Sequence, residues 1–247
     1  MASVQELKQY RNIHLIGIGG TSMSGIAQIL KHWGYNVSGS DANASDNTDK
    51  LINNNIYVTI GSDPSILNNI DLVIYSAAIH DTDPELSRAR ELGIPAIERG
   101  PFLGQLTHSF RNTISISGTH GKSTTSAMVS MCFIEAKQDP KIQIGANIPA
   151  INGNYRLGNS ENFIIESCEY ADSFLSFAPK AEIILNIDND HLDYFQNLDN
   201  IKAAFVKFVK LLPDDGILVY NADDENLLIW FSPLQIIFII TPLTFSY

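Results

Sequence analysis

Residues 113–125 read Thr-Ile-Ser-Ile-Ser-Gly-Thr-His-Gly-Lys-Ser-Thr-Thr. Residues 113–117 are rich in β-branched side chains, which predicts a strand running straight into the glycines. Beyond them, Thr125, Met128, Val129 and Cys132 recur on one face of a helical period, so a helix opens just after Lys122. Strand, glycine turn and helix N-terminus in succession are the setting of a phosphate-binding loop. Glycines let backbone N–H groups approach an anion, the helix terminus favours negative charge, Lys122 brings a cation and Ser123 a hydroxyl suited to Mg²⁺. Position 116 is Ile, so two residues rather than four separate the glycines, a departure from the general G-x-x-x-x-G-K-[ST] pattern. A tight structural turn is the alternative. The coincidence of glycine, lysine and hydroxyls at a strand-to-helix junction favours a nucleoside triphosphate.

Upstream, short apolar runs alternate with helical patterns, as a parallel sheet covered by helices requires. Strands are predicted over residues 12–18, 35–39, 56–60, 71–75 and 95–98. Met23, Ile26, Ala27 and Leu30 predict a helix opening near Thr21, and a second helix is predicted over residues 84–92. The first strand ends in Gly17-Ile18-Gly19-Gly20, and Asp41 follows about twenty residues on, the arrangement of a dinucleotide-binding unit. A diphosphate is implied. Ser22 takes the place of the last glycine of G-x-G-x-x-G, which leaves an NAD or FAD site as the weaker alternative.

Downstream, strands are predicted over residues 163–166, 183–187 and 217–220, with an amphipathic helix marked by Ile201, Ala204, Phe205 and Phe208. Glu166 and the pair Asp190-His191 follow strands whose ends should meet the phosphate loop. One carboxylate plus Ser123 suffices for nucleotide-bound Mg²⁺, and a neighbouring His suits a second divalent ion. Taken alone, His191 reads better as a hydrogen-bonded structural residue.

The chain has 247 residues, enough for two domains, and its 45% hydrophobic and 17% charged content is that of a folded protein. A net charge of -11 without a Lys/Arg run argues against nucleic-acid binding. Cys132 and Cys168 have no metal-like spacing and read as reduced thiols of a cytoplasmic protein. Residues 1–11 lack the apolar stretch of a secretory signal. Residues 227–247 carry no charge and superficially suggest a membrane span, which Pro233 and Pro242 argue against.

The motifs resemble those of the Mur ligase family, and within it the alanine-adding branch. The likeness rests on residues 14–20 and 23–27, on Val37-Ser38-Gly39-Ser40-Asp41, on Ser76-Ala77-Ala78-Ile79 with Asp83-Pro84-Glu85, and on residues 118–125. It continues through Glu166 with Glu169, Ser173-Phe174-Leu175 and Asn186-Ile187-Asp188-Asn189-Asp190-His191-Leu192-Asp193. The resemblance implies an α/β chain: a Rossmann-like, parallel-sheet domain over residues 1–108 that holds a UDP-sugar, then part of a P-loop ATPase domain over residues 109–226. It implies that Gly17, Ile18, Gly19, Gly20, Ser40, Asp41, Ser76 and Ala77 face the UDP-sugar. ATP falls to Gly118, Thr119, His120, Gly121, Lys122, Ser123 and Thr124, and Mg²⁺ to Ser123, Glu166 and His191. Lys122, Glu166 and His191 are the expected catalytic residues.

The implied reaction joins L-alanine to UDP-N-acetylmuramate in peptidoglycan precursor synthesis. An amine and a free carboxylate form only a salt, so ATP first phosphorylates the carboxylate, and Lys122 and Mg²⁺ offset the repulsion between the two anions. The resemblance also leads one to expect a truncated chain with a non-native or out-of-frame tail over residues 227–247 and little ligase activity of its own. Three rival readings are a ligase attaching a recycled peptide to the same sugar nucleotide, a non-catalytic nucleotide-binding protein with a membrane tail, and an oxidoreductase.

Overall fold

The computed structural model describes residues 7–227 and 238–240. Two compact units divide the chain: Met1–Leu106 with Gly145–Leu157, and Thr107–Ile144 with Gly158–Tyr247.

The first unit alternates β1 (Asn12–Ile16), α1 (Thr21–His32), β2 (Asn36–Asp41), α2 (Asp46–Asn53), β3 (Tyr57–Ile60), β4 (Leu72–Tyr75), α3 (Pro84–Glu91), β5 (Ala96–Glu98) and α4 (Arg99–Thr107). Its sheet order is β3-β2-β1-β4-β5, with every neighbouring pair parallel. The order reverses between β1 and β4, and such a switch point is where open α/β sheets bind ligands. The glycine turn after β1 lies there. Ile13 and Leu15 are completely buried, as are Ile26 and Leu30 on α1. A further cluster joins Ile16 and Val73 to Leu67, Leu86 and Ala89. The predicted strands and helices of this unit are present. The sequence reading passed over α2, although Ser45 caps it in a reciprocal capping box with Thr48.

The second unit contains β6 (Asn112–Ser117), α5 (Lys122–Glu135), β7 (Lys141–Ile148), β8 (Gly153–Arg156), β9 (Asn162–Glu166), β10 (Ala181–Ile184), α6 (Leu192–Phe195), α7 (Leu198–Val209), β11 (Ile217–Asn221) and β12 (Phe238–Ile240), with β8 and the end of β7 grouped with the first unit. The sheet order is β12-β11-β10-β6-β9-β7-β8. β6 sits between β9 and β10 and is parallel to both. Phe174, Phe205 and Phe208 pack together with every ring buried; Phe174 stacks on Phe208 at 4.3 Å between centroids and meets Phe205 edge-on at 5.3 Å. This interior explains the spacing read for α7.

Two predicted strands end early: β1 stops at Ile16, where the glycine turn begins, rather than at residue 18, and β10 stops short of residue 187. β10 stops at Ile184 because its neighbour β6 ends at Ser117; Leu185 still donates its N–H to Ser117 O at 3.0 Å, and Asn186 then meets the glycine loop. Of the apolar segment 227–247, Leu227 is buried and residues 238–240 pair in parallel with β11. The rest lies outside the described residues. No helix among the described residues is long and apolar enough to cross a membrane.

Candidate functional site

Three helices end their N-termini with side chains: Ser45 caps α2, Asp83 caps α3 and Asn197 caps α7. The two helices that follow glycine turns differ. Gly20 precedes α1 and Gly121 precedes α5, and neither helix has a side-chain cap. Their first-turn N–H groups, which lack intrahelical acceptors, are open to an anion.

The turn before α5 is fixed by backbone geometry and by residues far along the chain. Gly118 has φ +135°, and a Cβ there would lie 3.1 Å from both Asn186 N and Asn186 O. A side chain at position 118 would therefore be strained and crowded. Asn186 grips the loop at three points: its O accepts from Thr119 N at 3.0 Å, its Oδ1 accepts from His120 N at 2.8 Å, and its Nδ2 donates to His120 O at 3.0 Å. The neighbouring segment is held in turn. Ile187 N donates to Asp224 Oδ2 at 3.2 Å, and Asn226 Nδ2 donates to Ile187 O at 2.8 Å. Replacing Asn186 with alanine removes the two side-chain bonds at His120. The expected loss is about 1–2 kcal/mol of stability, read as a melting temperature lower by several degrees.

Lys122 folds back over this turn. Its Nζ donates to Gly118 O at 2.6 Å and Thr119 O at 3.2 Å, and it pairs with Glu169 at 3.1 Å, with side-chain exposures of 13% and 2%. Ser123 Oγ donates to Glu166 Oε2 at 2.9 Å. The expected Mg²⁺ ligands therefore fall into two groups. Ser123 and Glu166 meet directly, whereas His191 lies with Glu169 and Asp190, ligand atoms of the three being within 4.8 Å of one another. Glu169 also pairs with Lys122, the chain neighbour of Ser123. Carboxylate and hydroxyl oxygens are the donors that a hard divalent cation takes, so the residues fit the expected ion.

His191, with φ +52°, stands at the N-cap position of α6 without a side-chain cap bond, and its ring lies 4.8 Å from that of Tyr170. Two tyrosine-carboxylate bonds tie its surroundings together: Tyr170 to Asp193 at 3.2 Å and Tyr194 to Asp172 at 2.8 Å. The Asp193 charge pushes the Tyr170 phenol up, and the bond to Asp172 does the same for Tyr194. Ala171 and Asp172, with φ +53° and +56°, add local backbone strain.

In the first unit a cavity of about 580 Å³ opens over the ends of β1 to β4, lined in part by Gly17, Gly20, Ser40, Asp41 and Ser76. That is ample for a nucleotide. Ala77 is exposed, Ile18 is buried and Gly19 is half-buried, and none of the three is among the lining residues. The four N–H groups of the glycine turn are engaged within the unit: Gly17 and Ile18 donate to Ser40 O, Gly19 to Asp41 Oδ2 and Gly20 to Gly17 O. The open donors lie one step on, in the first turn of α1, where Arg99 Nη1 reaches Ser22 Oγ at 3.4 Å. Sequence reasoning missed Arg99, Asn186 and the Lys122–Glu169 pair. Asn186 and Glu169 stand inside quoted motifs, whereas nothing in the local pattern marks Arg99.

Two nucleotide-type turns, each joining a strand with parallel neighbours to a helix, define the class, and comparison with known proteins places the chain in it. The Mur ligase family, catalytic domain, matches residues 12–111, and the Mur ligase middle domain matches residues 116–239. The chain belongs to the Mur ligase family. It is 49% identical over 216 residues to the UDP-N-acetylmuramate--L-alanine ligase of Clostridium novyi, covering 87% of this chain and 47% of that protein. The solved UDP-N-acetylmuramate-alanine ligase of Thermotoga maritima matches with TM-score 0.80 at 30% identity, over 88% of this chain and 50% of that one. A UDP-N-acetylmuramate:L-alanyl-gamma-D-glutamyl-meso-diaminopimelate ligase from Neisseria meningitides matches with TM-score 0.84 at 27% identity, over 94% and 77% of the two chains. The chain spans about half the length of the curated relatives it matches.

Proposed function

We propose that this chain carries the UDP-sugar and ATP sites of an ATP-dependent, ADP-forming ligase that joins L-alanine to UDP-N-acetylmuramate in the cytoplasm. The observation that carries the reading is the uncapped start of α5, with Lys122 folded over the turn and Ser123 bonded to Glu166. The 49% identity to a ligase of that name points to the substrates.

In this reading Gly118 to Thr124 take the triphosphate, and Ser123 and Glu166 hold Mg²⁺, with His191 beside a second position formed with Glu169 and Asp190. Bound Mg²⁺ neutralises phosphate charge and draws electron density from the transferring group. Lys122 must leave the Gly118 and Thr119 carbonyls to reach that group, and Glu169 keeps it close while it turns. The sugar nucleotide occupies the first-unit cavity. Its diphosphate lies at the first turn of α1 beside Arg99, since the glycine-turn amides are already engaged.

The test is a calorimetric titration of ATP with and without Mg²⁺. Wild-type affinity should fall at least tenfold when Mg²⁺ is withheld, and Glu166→Gln should lose most of that difference. Equal dependence on Mg²⁺ in both proteins contradicts the role given to Glu166.

The likeness to the Neisseria ligase supports a second reading, in which a peptide replaces L-alanine as the amine. Phosphate release from ATP in the presence of UDP-N-acetylmuramate, driven by L-alanine or by a tripeptide in a protein of the relatives' full length, separates the two.

A further inference from the structure

Beneath the first-unit cavity lies a buried polar chain with no direct part in the chemistry above. His14 and Glu85 are wholly buried, and Ser40 is 3% exposed. Glu85 Oε2 receives Ser40 Oγ at 2.5 Å and His14 Nε2 at 3.3 Å, while Oε1 receives Asp63 N at 2.8 Å. His14 Nδ1 meets Ser38 Oγ at 2.9 Å. One carboxylate thereby ties together β1, β2, the loop after β3 and the start of α3.

The charge of Glu85 fixes the direction of its bonds. Burial pushes its carboxyl up, but the bonds from His14, Ser40 and Asp63 outweigh burial and hold it below the ordinary carboxylate range. An ionised carboxylate only accepts. His14 must therefore present Nε2–H to Glu85, and the Ser40 proton must point at Glu85 as well. With its one proton committed, Ser40 offers the cavity lone pairs alone. Ser40 and Glu85 both line that cavity.

We propose that Glu85 is a positioning residue of the sugar-nucleotide site, which acts by holding the Ser40 hydroxyl as an obligate acceptor. This inference rests on the reading of the first unit given above. An obligate acceptor selects a donor. On a nucleoside diphosphate sugar the donors are hydroxyls and the imide N–H of the base, whereas the phosphate oxygens are excluded from this position. The other carboxylates of the cavity are fixed in the same manner. Asp41 accepts from Gly19 N and Asn43 N, and Asp83 accepts from Glu85 N and Leu86 N. The Ser40 end of the cavity is thus built for the neutral, donor-bearing part of a ligand, and the anionic part belongs at α1.

The test is a double-mutant cycle on the whole chain, with UDP-N-acetylmuramate affinity measured by calorimetry. In Glu85→Gln the amide donates, Ser40 turns to accept from it, and the Ser40 proton swings toward the cavity. Affinity should fall about tenfold for Glu85→Gln and similarly for Ser40→Ala. In the Ser40→Ala background, Glu85→Gln should add less than a further twofold, and ATP affinity should stay unchanged throughout. A merely structural glutamate would give losses that multiply, and that result overturns the proposal, as does unchanged affinity in Glu85→Gln. If Glu85→Gln fails to fold, Ser40→Ala decides: unchanged affinity there removes the acceptor role, and a tenfold loss sustains it. Wild-type chain that takes up no UDP-N-acetylmuramate overturns the reading of the first unit itself; wild-type binding with unaffected variants overturns only the role of Glu85.

Discussion

Changing Lys122 to alanine is expected to weaken Mg-ATP binding by a hundredfold or more, beyond the lower melting temperature that the uncompensated Glu169 causes without nucleotide. The reason is a difference between what the lysine does with and without the ligand. Without nucleotide it caps two carbonyls of its own turn and pairs with Glu169 at 3.1 Å. Water can replace it at the carbonyls, so part of that contribution is recovered by solvation. No water molecule replaces a cation facing a triphosphate at a helix N-terminus. Its removal also leaves Glu169, 2% exposed, close to the phosphates with no counter-charge. Lys122→Ala combined with Glu169→Gln should therefore recover part of the lost affinity. Calorimetry with Mg-ATP on the three proteins measures this. A Lys122→Ala chain with wild-type affinity contradicts the assignment of the turn.

Glu182→Gln is expected to stabilise the second unit by about 1–3 kcal/mol at pH 8 and to leave it nearly unchanged at pH 4. Glu182 stands on β10 between Ser115 of β6 and Leu218 of β11, with no exposed surface. Neither carboxylate oxygen has a hydrogen-bond partner among the described residues, and the facing Ser115 hydroxyl has none either. Burial alone pushes the carboxyl well above the ordinary value of 4.5. In the unfolded chain the group ionises near that value, whereas in the fold it keeps its proton to higher pH. The folded state thus binds more protons over that interval, and stability falls as pH rises from about 4.5 toward the folded value. An amide of the same shape does not ionise, so the slope should flatten. Chemical denaturation between pH 4 and pH 8 reads it, and a variant that keeps the wild-type slope contradicts the account.

Glu85 should act with the opposite sign. Its carboxyl is held low by its hydrogen bonds, so its contribution is present above the ordinary value of 4.5 and is lost as pH falls through the folded value. The first unit should weaken in acid while Glu182 ceases to oppose folding of the second. Both glutamates are buried; the difference is that three donors bond to one and, among the described residues, none bonds to the other.

Local signals carried much of this structure into the sequence. β6, its glycine turn and α5 are legible because one stretch holds the β-branched strand, the turn residues and the helical stripe. The first-unit strands are legible because each is a short apolar run closed by polar or glycine residues. β7 and β8 are not, since Lys141–Ile148 mixes buried and exposed positions and Gly153–Arg156 has no apolar alternation. Site residues divide the same way. Ser123, in the first turn of the helix after β6, meets Glu166 at the end of β9 because β6 and β9 are neighbours. The hold of Asn186 on His120 and the approach of Arg99 to Ser22 span 66 and 77 residues, and contacts of that kind depend on strand order, which periodicity does not reveal.

The division of labour between the units is tested most directly by hydrogen exchange of the whole chain with each ligand added separately. Mg-ATP should slow exchange across residues 118–125 and 186–191 and leave residues 17–24 unaffected, and UDP-N-acetylmuramate should do the reverse. Protection of residues 17–24 by Mg-ATP, or of neither segment by either ligand, contradicts the account.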